Sequence, residues 1–557
     1  MIEDYTIGLD FGTHQSKVCY EDASDPRNRM YTFIEFSPPK GKKTFFLPSV
    51  VQINKDNTLS YGFVNEKDAL VSGHKHSFEE PVYEKQAPPK LKEFPKRPQD
   101  LPVGSRDGFL SQYYKTITVG KGRKRKTKTI LTVPKEVALA QYDAYKASVE
   151  HKNRIAYFTW KHDCDQIERA NIKTLERYEE DCRLAEKEFE KKHQYWEKNL
   201  IEKKAIYRYF KIATFSQEYN WTEDISAKVV STWYLTYLLF CIFEHLPDNT
   251  PIQMGIPESI GDRYAEIQKK NAEDVFYTAY YLYRYFGDKE SFQKASYEQL
   301  LTLTDFNVYH GIDMDKEKWS QVLLLPEAFA GLLMAARQGK IGTGMTLLAD
   351  IGGGSTDLSL FNVVSSKNKR DGLIPNVSRI VSLHKGLNYI FTLYKQEHFD
   401  MPFEKIRSLF AKSPESFQEE IEVFRQELVD IVQKDFYAPL YMAALQNGIS
   451  KERIMPVLRD RPVVYSGGGG LYDVFHNRIH FFTDALSLSK ELLSVKNVSN
   501  KKVTDEELSI LAVAYGLSIP QMMEPKMTPL EGLFNHVPLE ERRVRQSGYE
   551  HGITDVE

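Results

Sequence analysis

The sequence predicts an α/β fold whose strands end in glycine-rich turns, and three of its segments carry that prediction. Two of them, YTIGLDFGTHQSKVCY from Tyr5 to Tyr20 and TLLADIGGGSTDLSLFNV from Thr346 to Val363, share one design. Each is an apolar strand ending in an aspartate, then a glycine-rich turn with a small hydroxyl residue, then a second apolar strand that resumes at once. The third, RPVVYSGGGGLYDVF from Arg461 to Phe475, runs a buried-type strand into four consecutive glycines and then a helix start.

A phosphate chain can lie against backbone N–H groups only where no side chain blocks the approach, and glycine leaves that approach open. Gly12 and Thr13 in the first turn, and Gly352, Gly353, Gly354 and Ser355 in the second, can each wrap one end of a polyphosphate in N–H and hydroxyl donors. Asp10 and Asp350 stand where the strands stop. A carboxylate beside a phosphate is repulsive unless a cation lies between, and magnesium, which prefers oxygen ligands and keeps most of its waters, suits that place. One such turn is a tight hairpin; two in this order point to a shared polyphosphate. The glycine run of the third segment lets a flat ring lie directly on the backbone.

In this order, two phosphate hairpins followed by a strand and glycine run resemble the actin, sugar kinase and heat-shock ATPase superfamily. Within it the chain looks most like the nucleotide-binding domain of the seventy-kilodalton heat-shock chaperones. The strings that carry the match are GLDFGTHQSKV, FLPSVVQI from Phe46, LPEAFAGLLMA from Leu325, ADIGGGSTDLSLF, LHKGLNYIF with its Gly386, SGGGG, and TDEELSILAVAYGLS. The resemblance runs through roughly 1–90 and 225–520 and is specific only at these islands. It implies a two-lobed actin-like ATPase fold, two ribonuclease H-like sheets flanked by helices, with ATP or ADP and magnesium in the cleft between them. It implies a first lobe over 1–340, a second over 341–520, and a polar tail over 521–557.

Carried over one residue at a time, the resemblance makes Asp10 and Asp350 the magnesium-proximal carboxylates, Thr13 and Ser355 the phosphate-loop hydroxyls, and Asp357 the acidic residue after the second loop. It places Gly467, Gly468, Gly469 and Leu471 at the adenosine, where the family usually has a stacking arginine in place of Leu471. The family's crossing helix opens with a glutamate thought to organise the attacking water. Here Leu325 stands at that position, followed by Pro326 and Glu327, so hydrolysis rests on Glu327 substituting. The catalytic lysine falls among Lys85, Lys90 and Lys92 of VYEKQAPPKLKEF, with Lys85 taken as the candidate. His14 in the first loop is unusual and can donate to a phosphate. No Walker GxxxxGK[ST] and no dinucleotide fingerprint is present, and the hairpins are not followed by helices.

With 557 residues, a net charge of −3, 41% hydrophobic and 27% charged residues, the chain has no global pull toward nucleic acid or anionic lipid. Cys19, Cys164, Cys182 and Cys241 have no metal-ligand spacing and read as reduced thiols, and the 14 histidines do not cluster. The first strand begins within about five residues of the start, and VVSTWYLTYLLFCIF from Val229 to Phe243 is too short for a span, so a buried helix and a cytoplasmic protein are expected.

Between Lys135 and Leu246 there is neither glycine nor proline, which argues for long helices. DQIERANIKTLERYEEDCRLAEKEFEKKHQYWEKNLIEKKAIYRYF mixes charges of both signs with Ile167, Leu175, Tyr178, Leu184 and Phe189 at helical intervals, as in an antiparallel helical hairpin or coiled-coil arm. Ahead of it, YYKTITVGKGRKRKTKTILTV reads as two alternating strands joined by a basic turn, with Lys121, Arg123, Lys124, Arg125, Lys126 and Lys128 clustered. Both fall in an insertion of about 105–222 in the first lobe. The tyrosine-rich VFYTAYYLYRYF at Val275–Phe286 reads as packed helix. After about Pro520 the family's peptide-binding domain is not expected. The expected function is a slow magnesium ATPase switch that engages a protein partner through the helical insertion or the basic hairpin, with no membrane and no nucleic acid. An actin-like filament former and a nucleotide-binding pseudoenzyme are the alternatives.

Overall fold

The structure, a computed structural model, describes residues 4–533 apart from 26–27, 77–79, 84, 86, 121–124, 199, 216–219, 258–264, 305–321, 338–339, 366–371, 450–461, 476–483, 488–496, 522–524, 526–527, 529 and 531–532. Lys121, Arg123 and Lys124 of the basic turn, and the tail after 533, lie outside the described residues. The chain forms two compact units, Met1–His74 with Glu202–Glu557, and Lys75–Ile201.

The first unit holds two sheets of one design. Strands β1 (Tyr5–Asp10), β2 (Gln15–Asp22) and β3 (Met30–Phe33) form an antiparallel meander, and β4 (Ile252–Ile256) and β5 (Val322–Pro326) extend it in parallel from β1. Strands β6 (Gly344–Ile351), β7 (Thr356–Ser365) and β8 (Leu373–Leu383) repeat the meander, and β9 (Pro462–Ser466) and β10 (Asp484–Ser487) extend it in parallel from β6. The spatial orders are β5-β4-β1-β2-β3 and β8-β7-β6-β9-β10. This is the ribonuclease H-like order, present twice, and the two-lobed α/β architecture expected from the resemblance is the one observed. In β1 every residue from Thr6 to Asp10 is buried, and β6 is buried almost throughout, as central strands covered on both faces must be.

Five helices position the site: α1 (Phe210–Phe215), α2 (Ala227–Phe243), α3 (Glu327–Arg337), α4 (Leu387–Glu397) and α5 (Asp505–Ser518). Helix α2 is the apolar run read as a buried helix: Trp233 and Tyr234 are fully buried in the first core, and no described helix is long and apolar enough to cross a membrane. Helix α3 follows the first sheet but packs on β8 and β7 of the second, while α5, which comes after the second sheet, packs on β1 and β2 of the first. The two helices cross each other tightly. At the crossing a Cβ on Gly516 would run into the Ala330 carbonyl, so only glycine allows this approach. A capping box opens α5: Thr504 Oγ1 accepts from the Glu507 N–H at 3.1 Å, and the Thr504 N–H donates to Glu507 Oε2 at 2.9 Å. The tyrosine-rich segment is packed helix, as its periodicity predicts, within Ala265–Phe286.

The second unit is an arm. Its main element is a single uninterrupted helix, Lys135–Lys198, of 64 residues, or about 96 Å at 1.5 Å per residue. The expected helical hairpin is therefore replaced by one helix and an extended segment that precedes it. Pro88, Pro89, Pro95, Pro98 and Pro102 keep that extended segment out of helix. Two asparagines of the helix clamp its backbone, Asn171 onto the N–H and C=O of Lys92 at 2.8 and 2.9 Å, and Asn153 onto those of Leu101 at 2.8 and 3.0 Å. Between them Trp160 Nε1 donates to the Pro95 carbonyl at 2.8 Å, and the Arg97 guanidinium lies over Tyr157. The basic segment forms the two expected strands, Tyr114–Val119 and Lys126–Leu131.

Candidate functional site

The two duplicated turns line one cavity of about 280 Å³. From the first come Asp10, Gly12, Thr13, His14 and Lys17; from the second come Asp350, Gly352, Gly353, Gly354, Ser355 and Asp357. Gly467 and Gly468 of the third glycine segment and Ser509, Ile510 and Val513 of α5 also line it. Each turn is held by its own backbone: the Gly12 N–H donates to the Asp10 carbonyl at 3.1 Å, and the Gly352 N–H to the Ser355 carbonyl at 2.8 Å. Ser49 Oγ donates to the Gly12 carbonyl at 2.6 Å and fixes the first turn from behind. Gly467 has φ +74, where a side chain is strained, and a Cβ there would also meet the Asp350 carboxylate.

Some residues named from the sequence lie elsewhere. Lys85 is exposed in the arm unit and does not line the cavity; Lys90 and Lys92 are likewise exposed residues of the arm. The lysines that line it are Lys17 and Lys211. Gly386 backs the second turn, since the next two backbone N–H groups, of Leu387 and Asn388, donate to the Gly352 and Gly353 carbonyls at 3.0 and 2.8 Å. Gly469 packs on Ile351 and Leu471 sits half-buried in a 3-10 turn, both outside the cavity wall. The segment after the glycines forms short 3-10 turns in place of the expected helix start.

Lys211 is the residue the sequence reading missed. It follows a two-stranded pairing of Ile206–Tyr207 with Val51–Gln52, so the chain resumes after the arm beside a strand of the first unit. Phe210 is fully buried and stacks on Phe11 at 6.1 Å between ring centroids, which seats the next residue at the cavity. Tyr209, just before it, has φ +62, a strained conformation for a bulky residue. The Lys211 ammonium donates to Glu327 Oε1 at 2.5 Å, and both side chains are nearly buried. Glu327, at the start of α3, thus occupies the cavity side of the helix entry, whereas Leu325 is fully buried in β5.

The electrostatics are dominated by crowded acids. Asp10, Glu327, Asp350 and Asp357 share the wall with two lysines, and Lys17 Nζ holds Asp10 Oδ2 at 2.7 Å. Burial pushes the Asp350 carboxyl up to about 6, with the Asp357 carboxylate adding to the push. Burial also raises Asp357, whose Oδ1 accepts from Ser382 Oγ at 2.5 Å, and raises Glu327 against the pull of Lys211. This surplus of buried negative charge beside two phosphate-type turns fits a divalent cation. Among the described residues no group of three or more His, Cys, Asp or Glu could hold a metal alone.

His14 joins the two turns. The Asn388 amide donates to His14 Nε2 at 2.8 Å, so Nδ1 carries the proton, and Arg407 donates to Asn388 Oδ1 at 3.3 Å. Burial first, and the Arg407 guanidinium second, push the imidazole down to about 4. His14 Nδ1 is buried without a partner among the described residues.

No family model matches the chain, and no curated protein does. Among solved structures it is similar to MreB 5 of Spiroplasma citri bound to AMPPNP, at 11% identity and a TM-score of 0.37 over 99% of both chains. It is also similar to a non-polymerisable quadruple mutant of pCBH ParM, at 11% identity and a TM-score of 0.36 over 92% of this chain and 98% of that one. A third is Ta0583, an archaeal actin homolog, in complex with ADP, at 16% identity and a TM-score of 0.23 over 35% of this chain and 56% of that one. The fold assignment rests on the duplicated strand order and the two turns at one cavity.

Proposed function

We propose that the chain is a magnesium-dependent ATPase of the actin-like class, in which one nucleotide is held between the two turns. The observation that carries this reading is that two equivalent hairpins, each with an aspartate where its first strand ends, line a single cavity together with Lys17 and the Lys211–Glu327 pair.

The N–H groups and hydroxyls of Gly12–Thr13 and Gly352–Ser355 take the two ends of the phosphate chain. Asp10 and Asp350 would hold magnesium, and the ion when bound would neutralise charge that develops on the phosphates. Lys211 places a cation at the transferred phosphoryl group. Glu327, with its raised proton affinity, orients the attacking water and accepts its proton. Catalysis then comes mainly from positioning and electrostatics, and turnover is slow. The finer reading is a switch: the γ-phosphate ties the sheets together, and its loss lets them part, which a protein partner reads outside the cleft.

Asp10→Asn and Asp350→Asn each lower magnesium-dependent ATP hydrolysis by about 100-fold or more while leaving thermal unfolding cooperative. Wild-type turnover in both variants overturns the assignment. Pelleting of the chain only when ATP is present would favour filament assembly over the switch.

A further inference from the structure

The two phosphate turns are tied to each other by a side-chain contact that the proposed chemistry leaves unused. His14 belongs to the first turn, and its carbonyl accepts from the Ser49 N–H at 2.8 Å, which anchors the residue on the side of the first sheet. Asn388 belongs to the start of α4, and its own N–H donates to the Gly353 carbonyl at 2.8 Å, which anchors it to the second turn. Between these anchors the Asn388 amide donates to His14 Nε2 at 2.8 Å. The imidazole also lies on the second turn so closely that a Cβ on Gly353 would come within 2.8 Å of the ring.

Two neighbours fix how the bond is made. Arg407, on the helix Phe403–Lys412, carries donors only, so the Asn388 oxygen faces the guanidinium at 3.3 Å and the NH2 group is turned toward His14. Tyr209 packs against the same bond: its ring centroid is 5.1 Å from that of His14, and its hydroxyl accepts from the Asn388 NH2 at 3.4 Å. The strained φ of +62 at Tyr209 is of the kind that persists where the surroundings hold it. A nucleotide gripped by both turns leaves when they separate, and the His14–Asn388 bond resists that separation.

We infer that His14 and Asn388, with the amide oriented by Arg407, are positioning residues that hold the two turns together on a bound nucleotide and so set its rate of exchange. The inference rests on the nucleotide reading of the cavity.

Stopped-flow release of methylanthraniloyl-ADP from its magnesium complex with the full chain tests it. His14→Ala and Asn388→Ala are each expected to speed release by about three- to tenfold, the worth of one neutral hydrogen bond. The double variant releases no faster than either alone, because the same bond is lost in all three. His14→Gln, whose Oε1 can stand in for Nε2 as acceptor, restores slow release. Release of the corresponding non-hydrolysable ATP analogue speeds by the same factor, since the tie does not depend on the γ-phosphate. Arg407→Ala, at a half-buried residue, frees the amide to turn and speeds release as well, and it carries the test where a variant at 14 or 388 does not fold. Additive effects of the His14 and Asn388 changes, wild-type release in Asn388→Ala or Arg407→Ala, or an effect of His14→Ala confined to the ATP analogue overturns the inference and leaves nucleotide binding standing. A wild-type chain that binds neither nucleotide overturns the reading of the cavity, and the inference with it.

Discussion

Lys211 and Glu327 form a buried ion pair at the cavity, and its two halves respond differently to mutation. Lys211→Met leaves a carboxyl buried beside Asp10 and Asp357 without its cation, and is expected to cost about 3–5 kcal/mol of stability. The double change Lys211→Met with Glu327→Leu restores much of that stability, and hydrolysis stays lost; a double variant that hydrolyses ATP at the wild-type rate removes the pair from the mechanism. His14 gives a pH signature. Its folded pKa, about 4, lies below the usual 6.5, so the unfolded chain binds the proton more readily. The associated stability is complete above pH 6.5 and declines as pH falls toward 4, by at most about 3 kcal/mol. In His14→Gln that part of the decline disappears, which urea unfolding at pH 7 and pH 4.5 measures. Asp10, Thr13, Asp350 and Ser355 were legible because strand, aspartate and glycine turn are contiguous. Lys211 was not, because the arm separates it from the strand at 51–53 beside which it is seated, and the lysines before the arm were the nearer candidates.

The crossing of α3 and α5 is the element that links the two sheets, because each helix packs on the sheet it does not follow. Gly516→Val pushes its side chain into the Ala330 backbone and is expected to lower stability by about 1–3 kcal/mol or more and to weaken nucleotide binding with it. A Gly516→Val chain with unchanged melting temperature and ATP affinity contradicts the close crossing. The helices themselves were readable, α5 from the string TDEELSILAVAYGLS in the resemblance and α2 from its apolar run. The sheet orders were not, because β1 pairs with β4 some 245 residues on, and nothing local in either strand specifies that partner. That the arm is helical was readable from its lack of glycine and proline, but not that it is one uninterrupted helix of 64 residues. Its pairing was not, since it is clamped by an extended segment with no helical period of its own.

The arm leaves and rejoins the first unit at neighbouring backbone, with Ser72 Oγ donating to the Lys203 carbonyl at 3.1 Å and the Ala205 N–H to the Leu70 carbonyl at 2.8 Å. Replacing residues 76–200 by a short Gly/Ser linker is therefore expected to keep the duplicated sheets and ATP hydrolysis. Loss of hydrolysis in a folded, arm-less chain would place the arm in the chemistry. The molecule's central claim is that two like hairpins share one ligand. Calorimetric titration with magnesium ATP reads this directly. The account predicts one nucleotide per chain, with affinity lost by about tenfold or more when Thr13→Ala and Ser355→Ala are combined and the stoichiometry unchanged. Two nucleotides per chain, or full affinity in that double variant, would contradict it.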